Sequence, residues 1–270
     1  MWVSLLGPLY VRSHDPPVRV PAAKQRSLLA ALAVRAGDVV PVDTLAEAVW
    51  DSAPPASWHT TIRNYIKRLR RVLEHEAGSR ILTRPPGYLL QADRDEVDVL
   101  LFEALCKSGR AAARGGDWQQ ASATLSAADA LWRGTPFADI PSRPIRDAYV
   151  PYLQEMRLAA QETRIDADLR LAPSRAADVV PDLQELSRQH PERERLGAQL
   201  MLALYRCGRP ADALAAYQRA RQFSVGELGM EPGAGLQETH RRILAADQAL
   251  LLSQPEVGPG CGVPELGRLL

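Results

Sequence analysis

Ser57, Thr60, Arg63, Asn64, Lys67 and Arg71 fall on one side of a helical wheel, with Arg68 and Arg70 on its flanks. The opposite side gathers Ile62, Tyr65, Ile66, Leu69, Val72 and Leu73 into the i, i+3, i+4, i+7 stripe of a core-facing helix. The polar side carries a specific chemistry. Arginine and lysine neutralise phosphates, asparagine pairs bidentately with adenine, arginine pairs with guanine, and serine or threonine can bond to several base edges. Asn64 is the single asparagine of the chain, and it lies on this face. An ordinary solvated basic helix has the same pattern, so the surrounding elements must decide between the two.

The other reactive side chains form no catalytic set. His14, His59, His75, His190 and His240 show no H-E-x-x-H spacing, and neither a Gly-x-Ser-x-Gly elbow nor a G-x-G-x-x-G after a strand is present. Lys24, Lys67 and Lys107 are the only lysines and none follows a glycine, which excludes a Walker motif. Cys106, Cys207 and Cys261 are odd in number and far apart, so a reducing cytoplasm is expected rather than a disulfide framework. The sequence begins without a basic segment leading into an apolar one, so no secretory signal is expected, and no apolar run is long enough to span a bilayer. The expectation is a non-enzyme without cofactor, metal site or membrane association.

Charge is divided along the chain. Residues 1–92 carry 12 Lys+Arg against 7 Asp+Glu, a balance of +5, and residues 93–270 carry 21 against 25, a balance of −4. The positive part contains the two-faced helix, as a nucleic-acid-facing domain joined to one with a different task would.

The basic helix, predicted over residues 57–75, sits in a definite order of elements. Short alternating runs at 3–6, 9–12 and 18–20, separated by Gly7-Pro8 and His14-Asp15-Pro16-Pro17, predict a small antiparallel sheet. A helix is predicted over 22–36 with Gly37 as its stop, then a short strand over 39–42. Leu45, Ala46, Val49 and Trp50 predict a second helix capped at Asp43 or Thr44, with Glu47 placed for a capping box, and Pro54-Pro55 release the chain into the basic helix. Ile81-Leu82-Thr83-Arg84 and Tyr88-Leu89-Leu90 flank the hairpin signal Pro85-Pro86-Gly87. Three helices and a hairpin describe a winged helix, whose third helix enters the major groove. From residue 98 the pattern is helical: 98–114, 117–132, 146–171, 176–189, 193–207, 211–225 and 236–251. Small residues in Trp118, Ala121, Leu125, Ala128 and in Leu200, Leu204, Ala213, Leu214, Tyr217 follow the manner of tetratricopeptide hairpins, in which paired helices approach closely.

The leading strands, three helices and Gly-Tyr wing resemble the DNA-binding half of the OmpR-type regulators. Leu204-Tyr205-Arg206-Cys207-Gly208-Arg209-Pro210-Ala211-Asp212-Ala213-Leu214-Ala215-Ala216-Tyr217 and Glu227-Leu228-Gly229-Met230-Glu231-Pro232-Gly233 resemble the bacterial transcriptional activation domain, and Asp98-Val99-Leu100-Leu101-Phe102 fits its opening. Together they make the chain similar to the Streptomyces antibiotic regulatory proteins, in particular the N-terminal region of an AfsR-type activator. The fold class expected is mainly α with a small β part: an OmpR-type winged helix over 1–92, an all-α tetratricopeptide-like domain over 93–253, and a disordered Pro/Gly-rich linker over 254–270.

That resemblance implies a transcriptional activator that binds direct repeats in double-stranded promoter DNA as a head-to-tail dimer. It implies contact with RNA polymerase, including its sigma factor, at genes of antibiotic biosynthesis. Ser57, Thr60, Arg63, Asn64, Lys67, Arg68, Arg70 and Arg71 are the DNA-binding candidates on the helix. Arg84 on the wing and Arg94 beyond it are candidates for a groove or its phosphates, although Asp93, Asp95 and Glu96 can hold Arg94 in surface ion pairs. Lys107, Arg110 and Arg114 share one helix side and read more simply as a solvated face. In larger members a linker such as 254–264 leads into a nucleotide-binding domain, and the sequence leaves open whether the chain is a fragment of such a protein. A DNA-binding repressor and a helical adaptor without specific DNA affinity are the competing functions.

Overall fold

The computed structural model describes residues 1–12, 17–51, 53–73 and 80–252. His75, most of the turn at 14–17, and the predicted linker over 254–270 lie outside the described residues. Packing divides the chain into two compact units, Met1–Ser108 with Thr124–Gln161, and Gly109–Ala123 with the residues from Glu162 onward. Residues on both sides of the expected 92/93 boundary therefore share the first unit.

In the first unit, β1 (Trp2–Ser4) and β2 (Tyr10–Arg12) pair antiparallel with Val3 opposite Val11. The run at 18–20 contributes only an isolated bridge from Val18 to Val11. Then follow α1 (Ala23–Ala33), β3 (Val39–Pro41), α2 (Val42–Trp50), α3 (Trp58–Leu73), β4 (Ile81–Arg84) and β5 (Gly87–Leu90). The last three strands form an antiparallel sheet in the order β3-β5-β4, with Val40 opposite Tyr88 and Leu82 opposite Leu89. Three helices and this hairpin make a winged helix. Gly87 permits the close approach of β3: an added Cβ would lie 1.8 Å from the Val40 carbonyl oxygen.

The end of α1 and the start of α2 differ from those predicted. Helix α1 gives way to a turn after Ala33 rather than running to 36, and Gly37 (φ +88°) belongs to that turn, donating its N–H to the Leu90 carbonyl. Helix α2 has no side-chain cap at Asp43 or Thr44; it begins directly after Pro41, and the Val42 N–H donates to the Pro86 carbonyl at 3.3 Å. A tertiary acceptor from the wing thus satisfies the first donor of this helix end.

The core of this unit takes Leu28, Leu29 and Leu32 from α1, Leu45 from α2, Ile62, Ile66 and Leu69 from α3, and Ile81 and Leu90 from the wing. It continues without a break into Val99, Phe102 and Cys106 of α4 (Asp98–Arg114), Leu125 of α5 (Trp118–Asp129), Phe137, and Leu153 of α6 (Arg143–Leu171). Helix α6 starts three residues before the predicted 146, taking Pro144 into its first turn, where a missing N–H is harmless. Asp98, 1% exposed, joins the leading segment to this core: its carboxylate accepts the N–H groups of Leu5 at 2.7 and 2.9 Å and Leu6 at 3.0 Å. Burial pushes the Asp98 pKa above the ordinary aspartate value, against the opposing pull of those amides.

In the second unit, α8 (Glu194–Arg206) packs against α7 (Ala176–Gln189), α9 (Pro210–Glu227) and α10 (Ala234–Leu244). Gly197 and Ala203 of α8 and Ala213 and Ala216 of α9 are buried in this packing. At Gly197 an added Cβ would lie 3.6 Å from Leu236 and 3.8 Å from Ala220. Leu200, Leu204, Ala213 and Tyr217 are buried, and Tyr217 stacks on His240 with ring centroids 3.8 Å apart. The helix expected over 236–251 is interrupted: α10 ends at Leu244, Ala246 adopts φ +50°, and 248–251 form a turn of 3-10 helix.

Candidate nucleic-acid interface

Helix α3 is organised as its spacing predicts. Ile62, Ile66, Leu69 and Leu73 are buried, and Tyr65 and Val72 are half-buried. Thr60, Arg63, Asn64, Lys67, Arg68 and Arg71 are exposed, as is Ser57 just before the helix. The entrance is held by the Pro55 carbonyl, which accepts from the Trp58 N–H at 2.9 Å, and by the Ser57 carbonyl, which accepts from both the N–H and the Oγ1 of Thr61 at 3.1 Å. Trp58–Leu73 contains no Asp or Glu, and Arg63, Lys67, Arg68 and Arg71 have no ion-pair partner among the described residues. Arg70 and Arg71 occupy the last turn, where the helix dipole favours cations.

Arg70 is placed differently from its neighbours. It is half-buried, its Nε donates to the Ile81 carbonyl at 2.8 Å, and its Nη2 donates to Thr83 Oγ1 at 2.8 Å. Arg84 is exposed at the end of β4, beside the two-residue turn Pro85-Pro86. Arg94 is also exposed, and its guanidinium lies 3.6 Å from Glu103 on α4 rather than pairing with the acids adjacent in sequence. The structure thus brings Ser57, Thr60, Arg63, Asn64, Lys67, Arg68 and Arg71 onto the free side of α3 and ties Arg70 to the wing.

Two supports were not legible in the sequence. Arg80 braces the base of the wing, donating to the Glu96 carboxylate at 2.8 Å and the Gln91 carbonyl at 3.3 Å. The Lys24 ammonium lies 5.1 Å from the Trp50 ring centroid, and Trp50 stacks on Tyr65 of α3 with centroids 6.2 Å apart. Both join residues distant in sequence through a register that periodicity does not encode.

Known proteins are similar to the chain over most of its length. Residues 97–244 match the family model described as Bacterial transcriptional activator domain, and residues 20–90 match Transcriptional regulatory protein, C terminal. The regulatory protein DnrI of Streptomyces peucetius is 38% identical over 97% of the chain and 99% of its own length. The chain belongs to the Streptomyces antibiotic regulatory protein family. A second family relative, the regulatory protein AfsR of Streptomyces griseus, is 35% identical over 95% of the chain, which spans 26% of that longer protein. The solved structure of Mycobacterium tuberculosis EmbR, in complex with a low affinity phosphopeptide, superposes with a TM-score of 0.83 at 33% identity, covering 91% of this chain and 65% of EmbR. Membership of this family makes the chain a transcription regulator of the activator class, built from an OmpR-type winged helix and a bacterial transcriptional activator domain.

Proposed function

We propose that the chain activates transcription by reading direct repeats in promoter DNA, with α3 in the major groove and the wing on the adjacent backbone or minor groove. The observation that carries this is the exposed, acid-free face of α3, on which Asn64 stands among four cations without an ion-pair partner among the described residues. Asn64, Thr60 and one or more of the arginines contact bases; the remaining cations and Arg84 contact phosphates, each releasing counterions. Two copies bind head to tail, and the helical region, residues 93–253 in the proposed division from a DNA-binding part of 1–92, assists RNA polymerase and its sigma factor. The targets are genes of antibiotic biosynthesis.

Selection of random duplex DNA on the purified chain tests this, with an Arg63→Ala/Lys67→Ala variant alongside. The expected result is a tandem repeat that the variant fails to select. Recovery of no motif by the parent chain would replace DNA reading with a helical-adaptor function. Repression rather than activation would show as lower transcript from that repeat placed upstream of a promoter in a purified polymerase assay.

A further inference from the structure

Among the cations of α3, Arg70 alone is engaged by the wing in the described contacts, and the engagement is three-sided. Its Nε and Nη2 reach acceptors on alternate residues of β4, the Ile81 carbonyl and Thr83 Oγ1, each at 2.8 Å. Its guanidinium carbon lies 6.0 Å from the ring centroid of Tyr88, the β5 residue opposite Thr83 in the ladder. A planar guanidinium holds its N–H donors in a fixed fork that meets two acceptors and lies against an aromatic ring at once; an ammonium, a compact point charge with rotatable donors and no planar face, does not reproduce that geometry. Thr83 immediately precedes Arg84, and Arg84 opens the exposed turn. The Arg70–Thr83 bond therefore fixes β4 one residue before the wing's cation.

We infer that Arg70 is a positioning residue for DNA binding, which sets the spacing between the exposed face of α3 and Arg84 instead of meeting a phosphate itself. This rests on the DNA-reading function proposed above. The Pro86 carbonyl, bonded to the Val42 N–H, holds the other side of the turn. With both sides held, Arg84 is presented at a set distance from Asn64 and Lys67, and the two contacts to DNA are made without ordering the hairpin at the moment of binding. Releasing Arg70 loosens the β4 side and leaves the α3 face unchanged.

The test uses the full chain and the duplex that it selects, with Arg70→Lys, Thr83→Val, Arg84→Ala and the Arg70→Lys/Arg84→Ala double variant. Affinity is measured against salt, and hydroxyl-radical footprints are recorded. Arg70→Lys retains the charge but is expected to bind about fivefold more weakly, to lose roughly the same salt slope as Arg84→Ala, and to lose the wing's protection while keeping that of α3. The double variant is expected to bind no more weakly than Arg84→Ala, and Thr83→Val to show a smaller loss in the same direction. If Arg70→Lys reduces folding by circular dichroism, Thr83→Val combined with Arg84→Ala supplies the same cycle. Parent-like binding by Arg70→Lys, or losses that multiply in the double variant, would overturn the positioning role alone. A parent chain with no footprint on any duplex would overturn DNA reading and this inference with it.

Discussion

Asn64 and Lys67 lie one turn apart on the same exposed face, yet their chemistries predict different failures. Asn64→Ala removes a bidentate base contact, so preference should relax at one base pair by roughly 1–3 kcal/mol, with little change elsewhere. Lys67→Ala removes a charge and should weaken binding to all sequences, lowering the salt slope by ~0.9. Binding curves on single-base variants of the selected site, repeated across salt, separate the two. Asp98 supplies a pH-dependent prediction of another kind. Its burial holds the native carboxyl protonated to a higher pH than in the unfolded chain. Its stabilising contribution is therefore largest in acid and falls as pH rises from about 4, the ordinary aspartate value, through the raised native one. Urea midpoints of the parent should decline across that window more steeply than those of Asp98→Asn, and parallel profiles would show that Asp98 does not titrate this way.

The wing is the element whose geometry tolerates least change. With the Val40 carbonyl 1.8 Å and Pro41 Cα 2.9 Å from the position of an added Cβ, Gly87→Ala forces β3 and β5 apart. A stability loss of ~1–3 kcal/mol is expected, with loss of the wing's DNA protection before that of α3. A variant with parent-like urea midpoint and footprint would mean that the three strands separate without cost. Element types were largely legible beforehand, because a buried face imprints its period on the sequence. The helices predicted at 98–114 and 176–189 have those bounds in the structure. Element ends were legible only where chemistry is local. The start of α2 depends on Pro86, over 40 residues away, and the end of α10 on a left-handed Ala246 that no glycine announces.

At the scale of the molecule, the unbroken core of the first unit predicts that residues 1–92 do not suffice for it. Such a fragment lacks Asp98, whose carboxylate takes the amides of Leu5 and Leu6, and Phe102 and Phe137, the largest fully buried side chains. It should give a poorly dispersed amide spectrum and bind the selected duplex weakly. Within the intact chain, Phe102→Ala should cost about 3–5 kcal/mol and lower DNA affinity without touching α3. A well-dispersed, fully binding fragment would show that the winged helix is self-sufficient.

The winged helix, the helical region after it, the polar face of α3 and the family are readable from the chain before folding, because periodicity, turn residues and motif order are local properties. Tertiary structure alone decided that Arg70 faces the wing, that Arg94 meets Glu103, and that Asp98 and Phe102 belong to the same packing unit as the winged helix. Which of several similar arginines is tied and which is free depends on acceptors brought near by folding, and those distances are set by packing across residues far apart in the chain.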